Sequence, residues 1–306
     1  MKTPAGSELV SGRAPTMTQL DVTSAEQVSR PEPASSPGRS VVLKVLRSTV
    51  RTALFAVAGL AFVIGLWWLF AAMIDNPVRL PTPSAVLDAI PRDFNSIPAA
   101  EFISFQSGGI KQAIEYTAVS VLIGAGIGAT LGFLVGAFLG TFRAARELLG
   151  PPMIALGLIP VVVLAPFLSI WFGTARIVQA GLVIVFAFVT VAAVVQNATM
   201  SVSGQYKDYA MSLGARKGLV FRSVVLPAIA PPTIAAVRVG LAAGWSFQAA
   251  GELLGGSKGV GKLIQTLQGM SATTDILATL ILLGILAVIV DGIVVLVGGW
   301  ITRWQD

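Results

Sequence analysis

The chain has 306 residues, of which 55 % are hydrophobic and only 12 % charged, with a mean hydropathy of +0.81. Twenty-one Lys and Arg against 15 Asp and Glu leave a net charge of +6, and the sequence contains neither cysteine nor histidine. A soluble globular domain carries about 25 % charged residues, so this balance excludes a water-soluble enzyme and a disordered regulator, neither of which could cover so much apolar surface. The missing residue types exclude disulfides, thiol and imidazole chemistry, and any zinc site built from Cys or His. The chain reads as an integral membrane protein.

The first forty residues differ from the rest. They hold Pro4, Pro15, Pro31, Pro33 and Pro37, many Ser and Thr, and no aromatic residue; the first aromatic is Phe55. Such a segment cannot offset its ordering entropy by apolar burial, so residues 1–50 are expected to form a disordered cytoplasmic tail. A cleavable signal would place its basic and apolar regions within the first 15–30 residues, and none is expected here.

Beyond Arg51 come charge-poor runs: Thr52–Ile74, Tyr116–Phe142, Leu148–Ala175, Ile177–Tyr206, Ser223–Gly251 with Arg238 inside it, and Ile276–Thr302 with Asp291 inside it. A bilayer core about 30 Å thick needs about 20 apolar residues per helix. The expected fold is therefore all-α, a polytopic protein of six transmembrane helices over residues 51–306. A β-barrel would alternate apolar and polar residues over about ten positions, and these runs do not. With the N-terminus inside, ten flanking Lys and Arg lie on the cytoplasmic side and six outside, which places both termini in the cytoplasm.

In the second run Gly124, Gly128, Gly132, Gly136 and Gly140 recur every fourth residue, a stripe suited to close helix packing in lipid. Pro160 and Pro166 are expected to kink or break the third span. Pro231 and Pro232 are expected in the first turns of the fifth helix, where a missing N–H costs least. Arg238 and Asp291 lie at matching depths in the fifth and sixth spans and can pair, or Arg238 can face a solute path.

The loop between spans four and five runs Lys207-Asp-Tyr-Ala-Met-Ser-Leu-Gly and on to Leu226-Pro227. Local physics predicts a short helix over 206–213 ended by Gly214, displayed where a soluble partner could dock. Its spacing resembles the cytoplasmic coupling motif of permeases in binding-protein-dependent ABC importers: Glu-Ala-Ala, three residues, Gly, nine residues, Ile, one residue, Leu-Pro. Here those positions read Asp208-Tyr209-Ala210, Gly214, Val224 and Leu226-Pro227, so Asp, Tyr and Val replace Glu, Ala and Ile.

Leu80-Pro81-Thr82-Pro83-Ser84, then Pro160, Pro166 and Trp171-Phe172-Gly173, resemble the nitrate, sulfonate and taurine group of that family. Arg238-Val239-Gly240-Leu241, Trp245, Glu252-Leu253-Leu254 and Gly259-Val260-Gly261 do so too. The resemblance covers roughly 52–300. It implies a type I ABC importer permease fold in a bacterial inner membrane, with a coupling helix near 204–217 and a second permease copy as partner. Two cytoplasmic ATP-binding subunits would carry ATP and Mg, and an external substrate-binding protein would deliver a small anion.

The chain itself lacks a G-x-x-x-x-G-K-[ST] phosphate loop, so no catalytic residue, metal site or cofactor is expected in it, and no nucleic acid. Arg238, Trp245, Gln248, Glu252 and Asp291 are the candidates for the substrate path or a structural charge pair. The alternative functional class is a secondary active transporter of a small polar solute, which should show inverted repeats and broken half-helices; an intramembrane enzyme would need convergent nucleophiles or acids within the spans.

Overall fold

The computed structural model describes residues 38–104, 108–173 and 176–303. The chain divides into two compact units, residues 1–61 and 62–306. The first unit's described part lies wholly within helix α1 (Gly38–Ile74), which therefore begins ahead of the boundary expected at residue 50. Its early sequence, Val41-Val-Leu-Lys-Val-Leu-Arg, has no proline or glycine and good helix formers throughout, so nothing stops the helix short of Gly38. The expected tail over 1–37 lies outside the described residues.

Among the described residues the larger unit is helical throughout. After α1 come two short helices, α2 (Pro83–Asp93) and α3 (Pro98–Ser104), and then the long α4 (Gly109–Thr141). A bent pair follows, α5 (Arg143–Leu158) and α6 (Leu164–Phe172), then α7 (Arg176–Ser201) and the short α8 (Gly204–Ser212). The chain closes with α9 (Lys217–Val220), α10 (Leu226–Gly255), α11 (Val260–Gly269) and α12 (Thr273–Ile301). Five helical stretches are long and apolar enough to cross a bilayer, and the α5–α6 pair makes a sixth.

The third span is broken, as expected from its prolines: its two halves meet at 82°. The residue before a proline is pushed to extended geometry, and Ile159 adopts φ −71°, ψ 124° ahead of Pro160. Pro166 falls in the first turn of α6, where it is tolerated. The fifth span starts at Lys217 and continues through a π-turn at Phe221–Val225 into α10. Pro231 and Pro232 are therefore interior to that span and not in its first turns. The wider π-turn lies just before Pro227, whose ring would otherwise crowd the carbonyl of Ser223 and which offers it no N–H.

The bundle is built on α4 against α7. A β-carbon added at Gly124 would meet Val183 Cβ at 2.9 Å, at Gly128 the carbonyl oxygen of Ile184 at 2.5 Å, and at Gly132 that of Phe188 at 2.6 Å. At Gly136 it would meet the carbonyl of Ala192 at 2.5 Å, and at Gly140 Thr199 Cβ at 2.5 Å. All five glycines thus face one stripe of α7, and the two helix backbones touch from Gly124 to Gly140. Helix α10 packs on the same pair, with Trp245 and Leu241 buried against Val121 and Val183.

One end of the bundle is organised by carboxylates. Thr82 caps α2 by accepting from Ala85 N–H, and Trp67 Nε1 donates to Pro81 O at 3.0 Å. Glu101 reaches back along α3 to accept from Ile97 N–H and takes a second bond from Gly108 N–H, both at 3.2 Å. Desolvation raises the Glu101 pKa, but bonds from Ser96 and from the Gly108, Ile97 and Gly109 amides outweigh it, so its pKa lies below the ordinary carboxylate value. Arg92 bridges Asp93 at 2.7 Å and Asp275 at 2.6 Å, tying α2 to the start of α12.

Candidate functional site

Helix α8 carries the loop singled out in the sequence. Ser203 Oγ accepts from Gln205 N–H at its start. At its end Gly214 N–H donates to Met211 O at 2.9 Å and Ala215 N–H to Ala210 O at 3.1 Å. That pair of bonds is the Schellman termination, and it requires the residue between them to be left-handed. Gly214 has φ +86°, with open space around it, so the demand is on its backbone and not on room for a side chain.

The helix presents apolar side chains to solvent. Tyr206 is 68 % exposed, Tyr209 67 % and Leu213 72 %, with Asp208 exposed between them. Ala210, one turn after Tyr206, is half-buried beside that face. Val224 lies within the π-turn, and Leu226 and Pro227 open α10, so one continuous stretch joins α8 to the fifth span. A cavity of about 280 Å³ lies between α8 and the ends of α4 and α7, lined by Thr141, Thr199, Lys207, Met211 and Phe221 among others.

The candidate path residues divide into two groups. Arg238 and Asp291 form a two-pronged ion pair within one chain, Nε to Oδ1 at 2.8 Å and Nη2 to Oδ2 at 2.7 Å. Their side chains are 44 % and 39 % exposed, so the pair lies on the flank of α10 and α12 and not in the core. Each guanidinium prong meets one carboxylate oxygen, a geometry that neutralises both charges at helix depth.

Trp245, Gln248 and Glu252 are buried inside the bundle. Glu252 is fully enclosed, and its carboxylate accepts from Thr117 Oγ1, from Gln248 Nε2 and from Gly261 N–H, each at 2.9 Å. Thr117 Oγ1 in turn accepts from Val260 N–H at 2.9 Å. Glu252 therefore caps the first turn of α11 from a neighbouring helix, where the exposed amides and the helix dipole favour an anion. Gly259, at φ +101°, leaves room for the carboxylate, and Gly261 lets α11 approach the α10 backbone: a β-carbon at Gly259 would run into the Glu252 carboxylate, and one at Gly261 into the Ala249 carbonyl and Glu252 Cβ. With its acceptor capacity filled from three elements, Glu252 fastens α4, α10 and α11 together and has little left for a solute.

Sequence reasoning missed Thr117 and the roles of Gly259 and Gly261. The Gly-Val-Gly run after Glu252 was visible, but nothing in the sequence joins Thr117 to a residue 135 positions later. No group of three His, Cys, Asp or Glu side chains among the described residues could hold a metal ion.

The larger unit is a bundle of membrane helices with a short exposed helix between its fourth and fifth spans. The methionine ABC transporter MetNI in an inward-facing conformation has a chain with the same fold, at a TM-score of 0.53 and 21 % identity over 63 % of this chain and 94 % of that one. Residues 128–306 match the profile of the binding-protein-dependent transport system inner membrane component, and the chain belongs to that family.

It is 26 % identical to the taurine transport system permease protein TauC of Escherichia coli over 247 residues, 79 % of this chain and 86 % of that protein. It is 25 % identical to the aliphatic sulfonates transport permease protein SsuC of Bacillus subtilis over 248 residues, 80 % of this chain and 86 % of that one. The protein is a multi-pass inner-membrane transport permease and not an enzyme; ATP hydrolysis belongs to a partner subunit.

Proposed function

We propose that the chain forms, with a second copy of itself, the translocation path of an ATP-driven importer for a small anion of the nitrate, sulfonate, taurine or bicarbonate type. Two cytoplasmic subunits bind ATP and Mg, and α8 docks into them. An external binding protein delivers the solute, and both termini face the cytoplasm. The exposed, sharply terminated α8 carries this reading. Tyr206, Tyr209 and Leu213 form an apolar face that no other described part of the chain covers, on a helix joined to the fifth span through the short turn at 213–216. Movement of a docked subunit can thereby reach the membrane helices across a short connection.

The sulfonate-like solute rests on the names of the two relatives. Ala210→Asp, which puts a charge at a half-buried position beside the apolar face of α8, should abolish co-purification of the ATP-binding subunit while the chain still inserts. Full co-purification with normal uptake would remove α8 from the coupling role.

A further inference from the structure

The 82° break in the third span raises a solvation problem. Glu147 is the last charged residue of α5 before the break, and Ile159 lies twelve residues further on, roughly 18 Å deeper at 1.5 Å per residue. Backbone that leaves helical geometry at such a depth is tolerated only where protein covers it or where it lines a watery cavity, because lipid offers no hydrogen bonds. Pro160 makes the problem sharper, since it has no N–H to give to the carbonyl of Leu156.

A cavity of about 320 Å³ adjoins this break. It is lined on α5 by Gly150, Met153, Ile154 and Gly157, and on α7 by Val189, Ala193, Gln196 and Asn197. Gly157 brings it to within two residues of the break. Asn197 and Ala193 are exposed and Gln196 half-buried, and neither amide forms a side-chain hydrogen bond among the described residues. The hydroxyls of Thr130, Thr199 and Thr233, by contrast, each bond the carbonyl four residues back. Two unpartnered amides and an interrupted backbone thus converge on one cavity. Each would be costly against lipid tails and costs little against water.

We propose that the α5–α7 cavity is a water-filled vestibule of the permeation path, opening on the side of the membrane that carries α8, and that Gln196 and Asn197 are its polar contacts for a small polar solute. An amide offers both an N–H donor and a carbonyl acceptor, so the pair can replace part of a solute's hydration shell without fixing a charge there. The inference rests on the permease reading and adds to it the place where the path reaches the mid-membrane.

The absence of cysteine from the chain makes a direct test possible. Single variants Ala193→Cys and Asn197→Cys are compared with Leu131→Cys, an exposed apolar position at similar depth on α4, and with Ala144→Cys near the start of α5. The probe is a membrane-impermeant thiol reagent added from the α8 side to the full complex in proteoliposomes. Only the thiolate attacks the reagent, and each unit by which a dry site raises the thiol pKa slows labelling about tenfold.

The expected result is labelling of Ala193→Cys and Asn197→Cys at least an order of magnitude faster than Leu131→Cys. That rate should drop several-fold when ATP and vanadate trap the complex, with Ala144→Cys unchanged. In a Gln196→Leu/Asn197→Leu background, labelling of Ala193→Cys should fall toward the Leu131→Cys rate. Labelling no faster than at Leu131→Cys overturns the vestibule. Fast labelling indifferent to nucleotide takes it off the path, and labelling unchanged by the double Leu substitution removes the two amides. If no ATP-binding subunit assembles with the chain, the permease reading itself fails, and the nucleotide-free labelling still measures whether the cavity is wet.

Discussion

Gly126 and Gly128 lie two residues apart on the same helix and differ in what a methyl group would meet. An alanine β-carbon at Gly126 has nothing within 4 Å, whereas at Gly128 it would lie 2.5 Å from the Ile184 carbonyl and 2.8 Å from Ala187 Cβ. An unstrained contact is about 3.5 Å, so α4 and α7 must part by about 1 Å, enough to forfeit a quarter to a half of each dispersion contact along the seam. The listening partner is backbone and cannot rotate away. Both substitutions gain the same helix propensity, about 1 kcal/mol, so that contribution cancels in their difference. Overpacking then leaves Gly128→Ala about 1–3 kcal/mol less stable than Gly126→Ala. Equilibrium unfolding of the detergent-solubilised protein, followed by helical circular dichroism against denaturant, measures that gap. Equal midpoints for the two variants would refute the close α4–α7 seam.

Gly214→Val forces a β-branched residue to φ +86° and should cost about 1 kcal/mol or more locally; it is expected to uncouple ATP hydrolysis from uptake while membrane insertion, followed by fractionation, stays normal. Glu252→Ala strands Thr117, Gln248 and the Gly261 amide, at about 1–3 kcal/mol for each buried group left unpaired, so thermal stability in detergent should fall steeply, and Gly261→Ala should do the same by forcing α11 off the Ala249 carbonyl of α10. Asp291→Ala leaves Arg238 unpaired at helix depth and should reduce assembly, with partial recovery in Arg238→Ala/Asp291→Ala; a double variant worse than either single one contradicts a structural pair. Glu101, whose folded pKa is depressed, stabilises the α3 turn above its unfolded pKa, and that contribution is lost as pH falls through its folded value. Proteolytic cleavage between α3 and α4 should therefore rise in acid, and Glu101→Gln should abolish that dependence.

The span positions were readable because hydrocarbon thickness imposes a length on every charge-poor run, and the end of α8 was readable because Gly214 is a backbone requirement that a single residue type meets. The Gly124–Gly140 stripe announced a close contact but not its partner, although Val183, Ala187, Val191, Val195 and Thr199 repeat at the same four-residue interval on α7. Pro160 signalled a break without its angle, since the angle depends on what α6 packs against. Pro231 and Pro232 were misplaced because the start of α10 was taken from hydropathy, and the π-turn that carries the helix back to Lys217 leaves no compositional mark. Glu252 looked like a path residue, as any acid in an apolar run does; its enclosure comes from Thr117 and Gly261, which only the tertiary fold brings to it.

The central claim is that this chain converts work done on α8 into movement of its membrane helices. The most direct measurement is ATP hydrolysis by the complex in proteoliposomes, with and without the loaded external binding protein, for the wild-type chain and for Gly214→Val. The account predicts hydrolysis that rises on addition of the loaded binding protein with the wild-type chain, and no such response with Gly214→Val. Equal stimulation of both, or solute uptake that proceeds with no ATP-binding subunit present, would contradict it.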